Sequence, residues 1–282
     1  MPDLALSDQN APVLARNAFI GEGHDEHLWQ SFLNSLSGVD VLDFFNLVPE
    51  LEGRPNPLYQ LSDTTVDNGQ FMLDLATEEK VKIWRQKSVF KKARANARKL
   101  ANAGVEFRIP TQPDERVALC EKLIAYKKAR FKAQGVDNLL SCQVMAGLYK
   151  DLAEATGDRQ AAQLFSLEKD GEIVAATMVM LSRRTVNGVL LSIGGPEWHR
   201  MSPGFVLVSK VIDWAQENGF ERFCLGTGAQ QYKGRFGGDL VETKKLSRAV
   251  TYAGDAYILA RSLKDLAGQI MRNSIGNKAD AL

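Results

Sequence analysis

LLSIGGPEWHRMSPGFVL, residues Leu190 to Leu207, passes from an apolar strand-like run through a loop of glycines and prolines directly onto an amphipathic helix. The strand ends near Ile193, and Ser202, Pro203, Gly204, Phe205 and Val206 open the helix. The first turn of a helix carries backbone N–H groups without intrahelical partners. The macrodipole adds about half a positive charge there, so the segment suits a pyrophosphate. Gly204 would let a phosphate approach the backbone, and Arg200 would add a charge-assisted contact. An ordinary loop with a helix cap has the same composition, so the rest of the chain has to decide between the two readings.

On the N-terminal side of this stretch the apolar runs follow the period of strands. Ala161–Glu168, Ile173–Leu181 and Val186–Ile193 are joined by Lys169-Asp170-Gly171-Glu172 and by a turn from Arg183 to Gly188, the pattern of a β-meander. On the other side, a helix from Gly204 to Asn218 ends at Gly219 and is followed by a strand over Phe220–Leu225. A further strand near Val241–Tyr252 and a final helix over about Asp255–Met271 complete the pattern. Before the meander the spacing predicts a strand over Phe71–Leu75, one long helix from Glu78 to Ala103 capped by Gly104, and a strand over Val105–Ile109. Helices over Pro113–Gln134 and Cys142–Ala155 follow. The whole is an α/β (α+β) chain with a mixed, mostly antiparallel sheet.

Further upstream, a helix over His24–Leu36 and a strand over Val39–Val48 precede a stretch rich in turn formers, with Gly53, Pro55 and Pro57. The expected division is therefore an N-terminal unit over 1–53, a linker over 54–69 and one large domain over 70–282.

Of the 282 residues, 45% are hydrophobic and 24% charged, which suits a soluble globular chain with a real core. A formal net charge of +1 argues against a globally basic nucleic-acid binder. Cys120, Cys142 and Cys224 are odd in number and show no CxxC spacing, so a disulfide framework is not expected and a reducing cytoplasm fits. The N-terminal segment does not read as a secretion signal, and no apolar run approaches the ~20 residues of a membrane-spanning helix. His24 and His27 stand without a cysteine or carboxylate cluster, so no metal is expected. Ser202 near His199 lacks a G-x-S-x-G elbow, which disfavours hydrolase chemistry.

The order of strand, Arg-containing loop and helix in residues 190–207 resembles the acetyl-coenzyme A site of the GNAT superfamily. Ser202-Pro203-Gly204 before the helix resembles in particular the BioF2-like, cellulose-biosynthesis-type acetyltransferases. FKKARANARKLANAG, Phe90 to Gly104, is similar to the basic helix of that branch. GAQQYKGRFG, Gly228 to Gly237, is similar to its Gly-x-x-x-Tyr-Lys segment and to the Lys-x-x-Phe-Gly pattern of the related Fem-type aminoacyl transferases. The likeness spans roughly Val81 to Tyr252. It departs from the family in stretching the loop spacing by one residue, in Phe205 replacing a small residue, and in Cys224 and Ala229-Gln230 standing where acids are usual. The N-terminal unit supplies about one helix and one strand, and so reads as a truncated remnant of a first GNAT-like half.

The resemblance implies a GNAT acyltransferase fold, acetyl-coenzyme A or another acyl-coenzyme A as co-substrate, and a donor site at Ile193, Arg200, Ser202, Pro203, Gly204, Phe205 and Val206. It implies an amine or hydroxyl acceptor, a small molecule or a sugar or envelope precursor in polysaccharide or cell-envelope metabolism. Lys233 would stabilise the oxyanion, against the plainer reading of a solvated lysine. Tyr232 is either the proton donor to the leaving thiolate or a packing residue. Glu197, the one carboxylate of the loop, is a candidate base acting through water, against the plainer reading of a surface carboxylate. Nine basic residues from Lys80 to Lys99 without an acid usually make a solvated face; as a functional surface they would bind a polyanion such as tRNA. An aminoacyl-tRNA-dependent transferase and a catalytically silent GNAT-like scaffold are the alternatives.

Overall fold

Asp170 (φ 50°) and Gly171 (φ 82°) both take left-handed backbone, the pair of values that a two-residue hairpin turn requires. Lys169 then faces Glu172, and the register of the meander follows from that pairing. The structure, a computed structural model, describes residues 31, 35, 38–51, 54–67, 69–135, 140, 142–227 and 231–263. In chain order these form β1 (Val41–Leu47), β2 (Glu50–Leu51), β3 (Arg54–Pro55), a 3-10 turn (Pro57–Gln60), β4 (Thr65–Val66) and β5 (Gln70–Asp74). Then come α1 (Glu78–Arg85), α2 (Ser88–Asn102), β6 (Glu106–Arg108), α3 (Pro113–Gln134), α4 (Gln143–Glu154), β7 (Ala162–Lys169), β8 (Glu172–Leu181) and β9 (Thr185–Ile193). After a 3-10 turn over Pro196–Met201 follow α5 (Pro203–Glu217), β10 (Arg222–Thr227), α6 (Gln231–Gly234), β11 (Asp239–Val241), β12 (Lys244–Ala249) and α7 (252–263).

Described residues up to 67 and from 243 onward form one compact unit, and those from 69 to 242 the other. The expected linker over 54–69 carries β3, the first 3-10 turn and β4. Residues 243–263, expected within a 70–282 domain, group instead with the earlier part of the chain, because β12 pairs with both β1 and β4. The expected helix over His24–Leu36 lies almost wholly outside the described residues.

The larger unit is built on a sheet in the order β11-β5-β10-β9-β8-β7-β6. Every neighbouring pair is antiparallel except β9 and β10, which run parallel because α5 crosses over between them. Side chains alternate across it. Phe165, Leu167, Val174 and Val186 pack with α2 and α5 on one face, whereas Leu164, Ala176, Met178 and Leu190 pack with α3 and α4 on the other. Both faces are thus covered, which is why β7 and β8 read as nearly continuous apolar runs.

Two expectations are corrected. The single helix from Glu78 to Ala103 is two, since Lys87 leaves helical backbone at ψ 142° between α1 and α2. The break lets both ends bury aromatics: Trp84 donates from Nε1 to the Asp74 carbonyl at 2.9 Å and packs at a tilt against Phe90, ring centroids 5.0 Å apart, and Phe90 is fully buried. Truncating a buried Phe typically costs about 3–5 kcal/mol, more than an uninterrupted helix would return. The strand expected over Val241–Tyr252 is likewise split. Its start belongs to β11 in the large sheet, its middle to β12 in the three-stranded sheet, and its end to α7.

Candidate active site

The ladder between β9 and β10 runs from Thr185↔Arg222 to Asn187↔Cys224. β9 then continues to Ile193 paired with β8, and β10 to Thr227 paired with β5, so the inward edges of both strands go on without pairing to one another. Glycines mark the parting. A Cβ on Gly226, whose φ is +83°, would sit 2.7 Å from the Gly188 carbonyl oxygen, and one on Gly188 would sit 3.2 Å from the Cys224 carbonyl oxygen. Backbone this close tolerates no side chain. Along β9 the register also shifts by one, from Met178↔Leu190 to Val179↔Gly188, which leaves Val189 as a bulge. The Thr177 hydroxyl donates to the Leu190 carbonyl at 2.7 Å and satisfies a group beside the irregularity. Bulge, glycines and unpaired strand edges together offer backbone donors and acceptors to an extended ligand.

At the end of β9 the Gly194 amide donates to the Val174 carbonyl at 2.9 Å. The Glu197 carboxylate folds back over Gly195, with both oxygens 2.2 Å from where a Cβ on that glycine would be. His199 and Arg200 are exposed. Ser202 takes left-handed backbone (φ 47°) and turns the chain into α5. Its own amide donates to His199, and its carbonyl accepts from both Phe205 (3.0 Å) and Val206 (3.3 Å). Pro203 has no N–H, so the Gly204 amide is the one donor of this turn without a partner among the described residues. The missing Cβ of Gly204 points toward β9: a Cβ there would stand 3.2 Å from Ile193 Cδ1 and 3.8 Å from Leu191 Cδ2. The glycine therefore serves first to let α5 lie close on the strand.

α6 is the one-turn helix in which Tyr232 and Lys233 sit. Aromatics position it: Phe205 meets Tyr232 edge to face with centroids 6.1 Å apart, and Phe205 also packs 5.8 Å from Phe236, which in turn packs 5.5 Å from Phe90. Lys233 is only 4% exposed, and its Nζ stands 3.7 Å from the place of a Cβ on Gly226. It is not a solvated surface lysine. Tyr232 is 39% exposed at the rim of the same turn. Burial pushes its phenol above the ordinary value, against a smaller opposing pull from the Arg130 guanidinium. Gly228, Ala229 and Gln230 lie outside the described residues.

The structure thus brings Ile193 to Gly204, Phe205 to Tyr232, and Lys233 to the parting of β9 and β10. Arg200 and Glu197 lie on the exposed loop before α5, and Pro203 and Val206 are buried at the start of the helix. Sequence reasoning passed over Gly188, Gly226 and Thr177, although a glycine inside an apolar strand run is the ordinary mark of a bulge or a close approach. It also missed Gln70, which lies buried on β5 and accepts from the Cys224 thiol at 3.3 Å. The position at which the resemblance leads one to expect an acid thus carries a thiol hydrogen-bonded to an amide. Among the described residues, no three His, Cys, Asp or Glu side chains gather as a metal site would, and no helix is long and apolar enough to cross a membrane.

No curated protein matches the chain. Among solved structures, it is similar to FemX at 9% identity, with 84% of this chain and 79% of that chain covered and a TM-score of 0.57. It is also similar to the C-terminal domain of a protein from Agrobacterium fabrum described as a lysylphosphatidylglycerol synthetase. There the identity is 13%, the coverage 78% of this chain and 71% of that chain, and the TM-score 0.50. These likenesses concern the fold. Residues 87–234, just over half of the 282, match the acetyltransferase (GNAT) domain family, and the chain belongs to that family of acyltransferases.

Proposed function

We propose that the chain moves an acyl group from a coenzyme A thioester to an amine or hydroxyl of a sugar or cell-envelope precursor. The observation that carries this reading is the buried Lys233 beside the point where β9 and β10 part. An acyl carbonyl lying against the unpaired strand edges would place its oxygen near that ammonium, in surroundings where a fixed charge acts with little screening. Lys233 holds positive charge where the oxygen becomes negative as the acceptor attacks. Tyr232, whose phenol burial pushes above its ordinary value, gives its proton to the departing sulfur. Glu197 takes the acceptor's proton through water at the loop. The Gly204 amide and Arg200 are the groups available to the donor's phosphates, a leaner set than a helix start without proline would supply.

Melting of the protein with acetyl-, malonyl- and long-chain acyl-coenzyme A, and separately with charged tRNA, tests the reading. A donor present at 100 times its dissociation constant adds about 2.7 kcal/mol of stability. An acyl-coenzyme A is expected to raise the melting point; no shift with any of them overturns the proposal.

One observation favours an aminoacyl ester of tRNA as donor instead. On α2, Lys91, Lys92, Arg94, Arg98 and Lys99 are all exposed on the side away from the core, and the FemX-like fold and the Fem-type motif agree with that donor. Reversing the charge of Lys91, Lys92 and Arg94 would then weaken tRNA binding and flatten its salt dependence by roughly one unit of slope per lost phosphate contact. Unchanged tRNA binding removes this reading and leaves the first intact.

A further inference from the structure

Thr251 caps α7: its Oγ1 accepts from the Gly254 amide at 3.2 Å and donates to Asp40 Oδ1 at 2.6 Å. One side of the helix is committed to β1. A Cβ on Gly254 would lie 1.9 Å from the Asp40 carbonyl oxygen, so the helix crosses the backbone where only glycine fits. One heptad later Arg261 pairs with Asp43 and donates to Ser247 Oγ at 3.0 Å.

The opposite side carries Tyr252 (94% exposed), Ala256, Leu259 (63%) and Leu263 (58%) at spacings of four, three and four. That is the spacing of a two-helix seam. With Ala256 and Leu263 at heptad position a, Tyr252 and Leu259 fall at d, Ala253 and Ala260 at e, Asp255 and Ser262 at g. The anchoring Gly254 and Arg261 fall at f, directly behind the seam.

We propose that this seam docks a second copy of the chain, helix against helix, to form a two-fold dimer. The seam is its own complement. Its flanks hold small or neutral residues apart from Asp255, so two copies meet without a row of like charges, and an alanine at every e position lets the helices approach on that side. A lipid surface would call for cations beside the apolar stripe; among the described residues of α7 the one cation, Arg261, lies behind the seam and is turned to Asp43. A helix this short is marginal alone in water, but anchored to β1 it is already ordered before docking.

Sedimentation of the full chain at micromolar concentration tests the proposal. The expected mass is twice the 31.2 kDa of one chain, and the Leu259→Glu, Leu263→Glu double variant is expected to run as a monomer with an unchanged circular dichroism spectrum. Ala260→Arg, which removes no contact within one copy, is the second variant and is expected to dissociate the dimer as well; it decides alone if the double variant does not fold. A wild-type chain at 31.2 kDa throughout overturns the proposal. So does a dimer that survives Ala260→Arg in folded protein, or a monomer that floats with anionic phosphatidylglycerol vesicles and loses that binding on Leu259→Glu.

Discussion

The Lys233 ammonium stands 3.7 Å from the place a side chain would occupy on Gly226, so the charge is held against bare backbone where β9 and β10 part. In the proposed reaction that charge matters most when a carbonyl oxygen becomes an oxyanion. Lys233→Met keeps the aliphatic stem and removes the ammonium. The expected outcome is a loss of about 100- to 1,000-fold in turnover with donor affinity nearly unchanged, because a group acting on the transition state leaves ground-state binding alone. Single-turnover kinetics with a separate binding titration check this. Loss of affinity with intact turnover at saturation would make Lys233 a substrate clamp.

Gly226→Ala meets two penalties at once. Left-handed backbone costs an alanine about 1–2 kcal/mol, and its Cβ would stand 2.7 Å from the Gly188 carbonyl oxygen, which belongs to a strand held by β8 and cannot rotate aside. A loss of more than about 2 kcal/mol in urea unfolding is expected, together with loss of activity as the strands are forced apart. Gly135→Ala, at φ +64° with nothing within 4 Å, is the control that isolates the backbone cost.

What the sequence discloses here tracks how local each cause is. The meander, α3 and α5 are legible because caps, turns and periodicity lie within a few residues of what they control: Asp170-Gly171 announces its hairpin, and Gly135 ends α3 at φ 64°. The break at Lys87 is not legible, since the helix period carries through it and the reason for the break is burial of Trp84 and Phe90 against residues far along the chain. The same holds for β11 and β12, which are three residues apart in sequence and belong to different sheets. In the site, Lys233 is named by its motif, yet its burial depends on Gly226 and the aromatics that carry α6. Gly204 is also named, but the side it leaves bare faces Ile193 rather than an open loop.

Asp43 ties α7 to β1 and gives the small unit a pH dependence. Burial works to raise its pKa, but hydrogen bonds from Arg261 and Ser247, with the charges of Arg261 and Lys245, outweigh it and hold the carboxyl below the usual range. A carboxylate with a depressed folded-state pKa adds stability that is complete above its unfolded pKa of about 3.9 and vanishes as pH falls through the lower folded value. Asp43→Asn is therefore expected to be less stable than wild type from neutral pH down to about pH 5, with the gap closing below about pH 4. Urea unfolding across that range checks it. A gap that stays constant in acid would show that shape rather than charge holds the pair.

Gly204 separates packing from ligand binding, because alanine and aspartate test different properties of the same site. Its missing side chain faces Ile193 Cδ1 at 3.2 Å, the mobile end of a partly exposed residue that can turn away. Gly204→Ala should therefore stay within about 1 kcal/mol of wild-type stability, since alanine regains helix propensity while Ile193 adjusts. Adding Ile193→Val, which removes the clashing methyl, should recover any loss. Gly204→Asp puts a carboxylate in the first turn of α5, where the macrodipole favours it by about 0.3–1 kcal/mol. Its Cβ, however, starts buried beside Ile193 and Leu191, so desolvation offsets that gain and its stability is expected to fall below that of Gly204→Ala; its binding is read on protein that circular dichroism shows to be folded. Binding of an anionic donor should nevertheless drop steeply in Gly204→Asp and little in Gly204→Ala. Isothermal titration with acyl-coenzyme A reads both. If folded Gly204→Asp binds as tightly as wild type, the donor's phosphates do not sit at the start of α5, and the donor has to be sought along the strand edges alone.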